Sequence, residues 1–243
     1  MVISPGQWLH CQHTPVADAI TMLPTDRVAR FRERYRAGIS PRYSGPLHAL
    51  WVAAVGVSAM LFAASRLHEV QALEWLVLLL ALLTGNVGEY LIHRRLGHRL
   101  WKPARLFHQR HTGDHHHFFT ADAMCWDSPR DWRVVLFPGW LIVVVLALVA
   151  APGGWLLAWL AGDNAGWLWV LGVTATYLLY ETLHFSYHLP EDHVVHRRLP
   201  GLRRLRALHQ LHHRPEEMTR TNFNLTFPLT DWLAGTLKEP TSR

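Results

Sequence analysis

Fourteen of the chain's 18 histidines fall into two clusters, seven between His93 and His117 and seven between His184 and His213. Imidazole is the commonest metal-ligating side chain, and residues three or four apart on a helix share a face, with Cβ atoms about 5–6 Å apart. His108 with His111, His111 with His115, and His184 with His188 have that spacing, as do His209, His212 and His213. His93 and His98 are five apart and converge only where a helix ends or bends, which Gly97 permits. His115 and His116 close the first cluster beside His117. So many rings without partners would be costly in apolar surroundings, and the two clusters predict a metal centre. They hold more imidazoles than the four ligands of one structural zinc ion, which implies two ions. Ligand type alone leaves iron, zinc, copper and nickel open. His10, His13, His48 and His68 lie outside the clusters and read as polar anchors. His117, His193 and His196 read equally as outer neighbours of the ions or as exposed side chains.

Each cluster follows an apolar stretch. Leu47 to Ser65, Leu73 to Gly88, Val134 to Ala151 and Gly166 to Leu183 are long and nearly uncharged, with a shorter piece from Trp155 to Ala161. A helix rising 1.5 Å per residue needs about 20 apolar residues to cross the hydrocarbon core. The pattern predicts an all-α integral membrane protein with four transmembrane helices in two hairpins. A cytoplasmic helical cap would hold a histidine-rich dimetal site. Residues 1–46 read as an N-terminal cytoplasmic or interfacial segment, and residues 47–243 as a membrane-embedded domain.

Charge orients the bundle. Of 24 Lys and Arg residues, all but Arg66 lie before the first span, between the second and third, or after the fourth, which share one side. Positive charge marks the cytoplasmic side, so both termini and both clusters are expected there. A bacterial inner membrane and the endoplasmic reticulum fit equally. The sequence pI near 9.8 also invites nucleic acid, but the arginines hug the span ends, where anionic headgroups attract them, and no nucleic-acid partner is expected. Arg27 to Arg36 suits a helix on the membrane surface or in solvent. Cys11 and Cys125 imply no disulfide framework, and the first 46 residues lack the apolar core of a signal peptide.

The ordered series His93-x4-His98, His108-x2-His111, His184-x3-His188 and His209-x2-His212-His213 resembles the histidine boxes of the fatty acid hydroxylase superfamily, which includes sterol desaturases, fatty acid 2-hydroxylases and carotene hydroxylases. The stretch Asn222 to Thr236 resembles that family's closing segment, and the likeness covers roughly Leu73 to Leu237. One departure is visible: the second box usually ends in paired histidines, whereas His111 is followed by Thr112, and His115-His116 stand ready to take that role. The resemblance implies oxygen-dependent hydroxylation or desaturation of a lipid by a non-haem di-iron centre. It assigns as ligands His93, His98, His108, His111, His115, His116, His184, His188, His209, His212 and His213. Glu89, Asp114 and Glu181 lie close enough in sequence to accept a ring N–H and fix a tautomer. Trp101, Phe118, Phe119, Tyr180 and Tyr187 are candidate walls or interface anchors. No segment can bind a nicotinamide, flavin, haem or cluster, so an external donor is expected: a ferredoxin, cytochrome or reductase. Two rival classes share the ligands, a dizinc lipid hydrolase or lyase and a non-catalytic metal-handling protein. The lipid itself, whether fatty acid, sterol or carotenoid, stays open.

Overall fold

A computed structural model describes residues 24–199 and 201–240; His10, His13 and Cys11 lie outside them. The regular elements among the described residues are helical. Helix α1 spans Pro24–Ala37. Helix α2, Gly45–Ser65, begins where the Ser44 hydroxyl accepts from the Leu47 N–H and Pro46 occupies the first turn. Helix α3, Trp75–Ile92, runs on through a π-helical turn, His93–Gly97. Helix α4, Leu141–Ala161, has a π turn at Leu146–Ala150, a turn breaks the chain at Gly162, and α5 follows over Asp163–Tyr187. Helix α6, Leu202–His212, carries the last histidines.

Among the described residues, three helices are long and apolar enough to cross a membrane: α2, α3 with its π continuation, and α4. Their outward faces expose large side chains such as Leu61, Leu148 and Trp159, as lipid-facing surfaces do. The fourth expected span corresponds to α5, which is 25 residues long but less apolar, carrying Asp163, Thr174, Thr176, Glu181 and His184. Its position explains the difference: α5 packs against α2, α3 and α4 together, so Thr174, Glu181 and His184 are buried against protein, and exposed Asp163 lies at the helix start. Close approach requires small residues there. A Cβ on Gly172 would meet the Ala81 Cβ at 2.5 Å.

The third span begins later and ends later than the apolar run suggests. Val134, Val135 and Leu136 are buried, the first two against Phe118 and Phe119, and the helix starts only after Pro138-Gly139. The piece Trp155 to Ala161 is the end of the same helix. Pro152 has no N–H to donate into a helix interior, and the π turn just before it absorbs the missing bond. Helix α1 is neither free in solvent nor simply laid on a surface. Arg32 donates to the carbonyls of Phe118 at 2.9 Å and Ala123 at 2.7 Å, and Arg36 makes a two-pronged pair with buried Asp131, both contacts 2.8 Å. Both arginines thereby clamp the loop that leaves the first histidine cluster.

Candidate metal centre

Nine imidazoles from the two clusters gather into two groups. His93, His98, His111, His116 and His212 form one; His115, His184, His188 and His209 form the other; within each, one nitrogen per ring lies within 4.8 Å of all the rest. His213 adjoins the second, with its Nε2 3.2 Å from His115 Nε2 and 3.0 Å from His209 Nε2. All ten rings are buried. Two π turns make the first group. With i→i+5 bonding, residues five apart share a face: His93 opens one such turn and His98 follows it, while His111 lies within the other, Gln109–His115, and His116 follows it. The pair His115-His116 therefore divides between the groups. So do His209 and His212, three apart on α6, whereas His184 and His188 at the end of α5 stay together.

Gly97 is part of this geometry. A Cβ there would meet the His111 ring at 2.8 Å, and that ring is locked among its neighbours. Gly97→Ala is expected to displace His111 and reduce bound metal by about tenfold or more in affinity, with membrane insertion unchanged. Metal content of the purified variant, measured after dialysis against the metal at wild-type half-saturation, checks this.

Backbone carbonyls set the tautomers. The Nδ1–H groups of His93, His115, His188, His212 and His213 donate to the carbonyls of Phe223 (2.5 Å), Val134 (3.0 Å), Met124 (2.7 Å), Thr221 (2.7 Å) and Phe119 (2.9 Å). A carbonyl only accepts, so Nδ1 keeps the proton and Nε2 presents a lone pair inward. His98 reaches the same state through Thr112: its Nδ1 donates to the hydroxyl at 3.2 Å, which itself donates to the Gly97 carbonyl at 2.6 Å. Thr112, at the position of the missing second histidine, is thus the support of another ligand candidate.

Facing lone pairs are the test of fit. His98 Nε2 lies 3.0 Å from His212 Nε2, and His115 Nε2 lies 3.2 Å from His213 Nε2, with Nδ1 already protonated on each of the four rings. Neither contact can be a hydrogen bond between neutral rings; a cation between them makes both favourable. Two nitrogens about 2.1 Å from one ion and at right angles are about 3.0 Å apart, close to the spacing here. His93 Nε2 is buried without any partner, another atom that an ion would satisfy. The residues fit two metal ions.

Burial disfavours the imidazolium, pushing His212 down to about 4 and His115 to about 3, and His98 well below the ordinary range. The unfolded chain takes up these protons near pH 6.5, before the folded one does. Stability from these rings is therefore full above about pH 6.5, declines as the pH drops below it, and is lost past the folded-state values. Melting temperature in neutral detergent should hold steady from about pH 8 to 7 and fall steeply towards pH 4.5; a flat profile contradicts the buried neutral rings.

The carboxylates do not touch the ring nitrogens. Glu89 accepts from the Leu225 and Thr226 N–H groups and the Thr226 hydroxyl; Glu181 accepts from the Phe137 N–H at 3.2 Å and the Tyr177 hydroxyl at 3.2 Å; Asp114 takes a bond from Gln109. Glu89 anchors the segment that begins at Asn222, whose Phe223 carbonyl holds His93. Fully buried Asp231 fixes that segment by accepting from the Asn224 N–H at 2.6 Å. His108 lies outside both groups, with Nδ1 on the Gly97 carbonyl at 3.0 Å. His117 donates to the Thr112 carbonyl, His196 lies between the Ser186 and Pro190 carbonyls, and His193 accepts from the Val195 N–H. His48 is bonded to the Tyr43 hydroxyl at 3.0 Å and so is more than an anchor.

Two apolar cavities reach the histidines. One, of about 260 Å³, has His111, His115 and His184 in its wall; the other, of about 270 Å³, runs between α3, α4 and α5 from Val149 and Trp169 up to His93 and His111. Phe107, Phe137 and Tyr180 border both. Of the other aromatic candidates, Trp101 is exposed, while Phe118, Phe119 and Tyr187 are core, with the Phe119 ring tilted against His188 at 4.0 Å between centroids.

Helices of membrane-spanning length and apolarity carry two buried histidine groups, each able to hold a metal ion, beside apolar cavities, as a membrane protein with a metal site would. The chain belongs to the fatty acid hydroxylase family, whose model matches residues 78–236. The match takes in both histidine groups and ends at the closing segment. Family membership implies an oxidoreductase acting on lipid at the membrane. No curated protein and no solved structure matches the chain.

Proposed function

We propose that the protein is an oxygen-dependent lipid hydroxylase or desaturase with two iron ions held by the two histidine groups. The observation that carries this reading is the set of inward lone pairs, pinned by carbonyls, at the head of an apolar cavity. His93, His98, His111, His116 and His212 would hold one ion, and His115, His184, His188 and His209 with His213 the other. When bound, the irons supply activation of dioxygen and the oxidising power needed to break an unactivated C–H bond. The chain's own part is positional. At His93, His115, His188, His212 and His213, carbonyl acceptors keep Nδ1 protonated and Nε2 free of a proton. Phe107, Phe137 and Tyr180 wall the substrate carbon from water, and α3, α4 and α5 guide the chain. Helix α5 serves as the fourth span, with both termini and the histidines on the cytoplasmic side, as the arginine distribution favours. Two electrons per turnover come from an external carrier, for which the basic surface suits an acidic ferredoxin or cytochrome.

The test is metal replacement. Protein stripped and reloaded with ferrous iron should oxidise co-extracted lipid when given dioxygen and a reductant, and protein reloaded with zinc should not. Activity that is equal with zinc, or needs no oxygen, makes it a hydrolase or lyase. Passage of metal across reconstituted vesicles without lipid change makes it a metal-handling protein.

A further inference from the structure

A third cavity, of about 470 Å³, adjoins the first and differs from it in chemistry: Tyr43, His48, Arg110 and Arg133 line it. Leu106, Arg110, Pro138 and Trp140 border both cavities. The shared walls place a doubly basic chamber beside the cavity of His111, His115 and His184, which in turn shares Phe107, His111, Phe137 and Tyr180 with the apolar cavity that ends near Val149 and Trp169 between the spans. The two arginines stand at one end of this row of cavities and the least polar lining at the other, an arrangement that suits an amphiphile.

Among the described residues, the two arginines donate hydrogen bonds to neutral acceptors, and the carboxylates of Asp114 and Glu181 act on Arg110 only from beyond salt-bridge distance. Arg110 donates through Nη2 to the carbonyls of Arg133 at 2.7 Å and Leu136 at 3.2 Å, and Arg133 donates through Nη1 to the Tyr35 hydroxyl at 3.0 Å. No carboxylate forms a salt bridge with either among the described residues. A half-buried guanidinium on neutral acceptors retains unused donors, which an oxyanion would satisfy. His48 Nε2 is buried there without a partner and adds a further polar atom to the chamber.

We propose that Arg110 and Arg133 form an anion site for the phosphate or carboxylate headgroup of a single-chain amphiphile, whose chain passes the histidines into the span cavity. The choice of ligand rests on the lipid-oxidising function above. Arg110 shares a cavity wall with His111, His115 and His184, so oxidation falls in the head-proximal part of the chain, with the tail lodged towards Trp169.

Calorimetric titration of the purified protein in nonionic detergent with dodecyl phosphate, dodecanol and inorganic phosphate tests the site. Dodecyl phosphate should bind at least about tenfold more tightly than dodecanol, the worth of one or two charge-assisted hydrogen bonds, and than inorganic phosphate, which has no tail. The preference should vanish in Arg110→Gln and in Arg133→Gln, persist in part in Arg110→Lys, and be untouched in Arg105→Gln, which is exposed and outside the cavity. Equal affinity for phosphate and alcohol overturns the proposal, as does a preference that survives both glutamine variants. Inorganic phosphate binding as tightly as dodecyl phosphate makes this a free-anion site and overturns the lipid assignment. If Arg110→Gln does not fold, Arg133→Gln and Arg110→Lys decide. Because binding is read without turnover, a preference with no oxidised product leaves the site standing and removes only the function. Product without the preference removes only the site.

Discussion

His212→Ala is expected to lower lipid oxidation by at least about a hundredfold while the chain still inserts in the membrane. His212 is fully buried on α6, its Nδ1 pinned to the Thr221 carbonyl at 2.7 Å and its Nε2 3.0 Å from His98. Alanine removes one of five nitrogens from the first group and leaves His98 Nε2 without the nitrogen that faces it at 3.0 Å. Metal content should fall from two ions per chain to one, because the neighbours His209 and His213 serve the other group. His117→Ala is the control: the ring is exposed and outside both groups, and its loss should leave metal and activity unchanged. A His212→Ala protein with more than about a tenth of wild-type activity contradicts the site.

Removing the metal should be the largest perturbation of stability. Ten buried imidazoles converge from α3, the π turn at Gln109–His115, α5 and α6, and several face one another lone pair to lone pair. Ions that relieved this contact would bind the folded chain far better than the unfolded one, so their binding free energy would add to folding. Structural metal sites contribute up to about 10 kcal/mol, and a chain of this size shifts its melting temperature by about 2–4 °C per kcal/mol. Chelation should therefore lower the melting temperature by more than about 10 °C, reversibly on adding ferrous iron or zinc. A melting temperature unchanged in protein proven metal-free would mean that the rings hold themselves, and the two-ion reading would fail.

Much of the site is legible in residue spacing, and what is not has identifiable causes. His184 and His188 obey α-helical periodicity and share a group, as their spacing predicts. Helical periodicity pairs His108 with His111 and His111 with His115, whereas the π turn sends His108 to the Gly97 carbonyl and His115 to the second group. Nothing in residue types marks a π turn, although His93-x4-His98 and His111-x4-His116 both carry its five-residue step. Ring orientation is hidden for a different reason. Its acceptors are main-chain carbonyls of Phe119, Met124, Val134, Thr221 and Phe223, and a carbonyl has no residue type. The carboxylates Glu89 and Glu181 draw attention by chemistry but hold loops. Thr112, which looks like a gap in the family pattern, supports His98. In the fold, apolar runs locate α2, α3 and α4, while Val134 to Leu136 is apolar because it packs against the histidine-bearing core. Helix α1 escapes periodicity because its arginines read as surface charge until the Phe118 and Ala123 carbonyls and Asp131 are in place.

The most direct measurement is the fate of labelled dioxygen. Membranes containing the iron-loaded protein, an electron donor and ¹⁸O₂ should yield a lipid that has gained one labelled oxygen or lost two hydrogens. That product should be absent without oxygen and in His212→Ala. Equal product in the absence of oxygen, or an incorporated oxygen that comes from water, would contradict an oxygen-dependent centre built from these histidines.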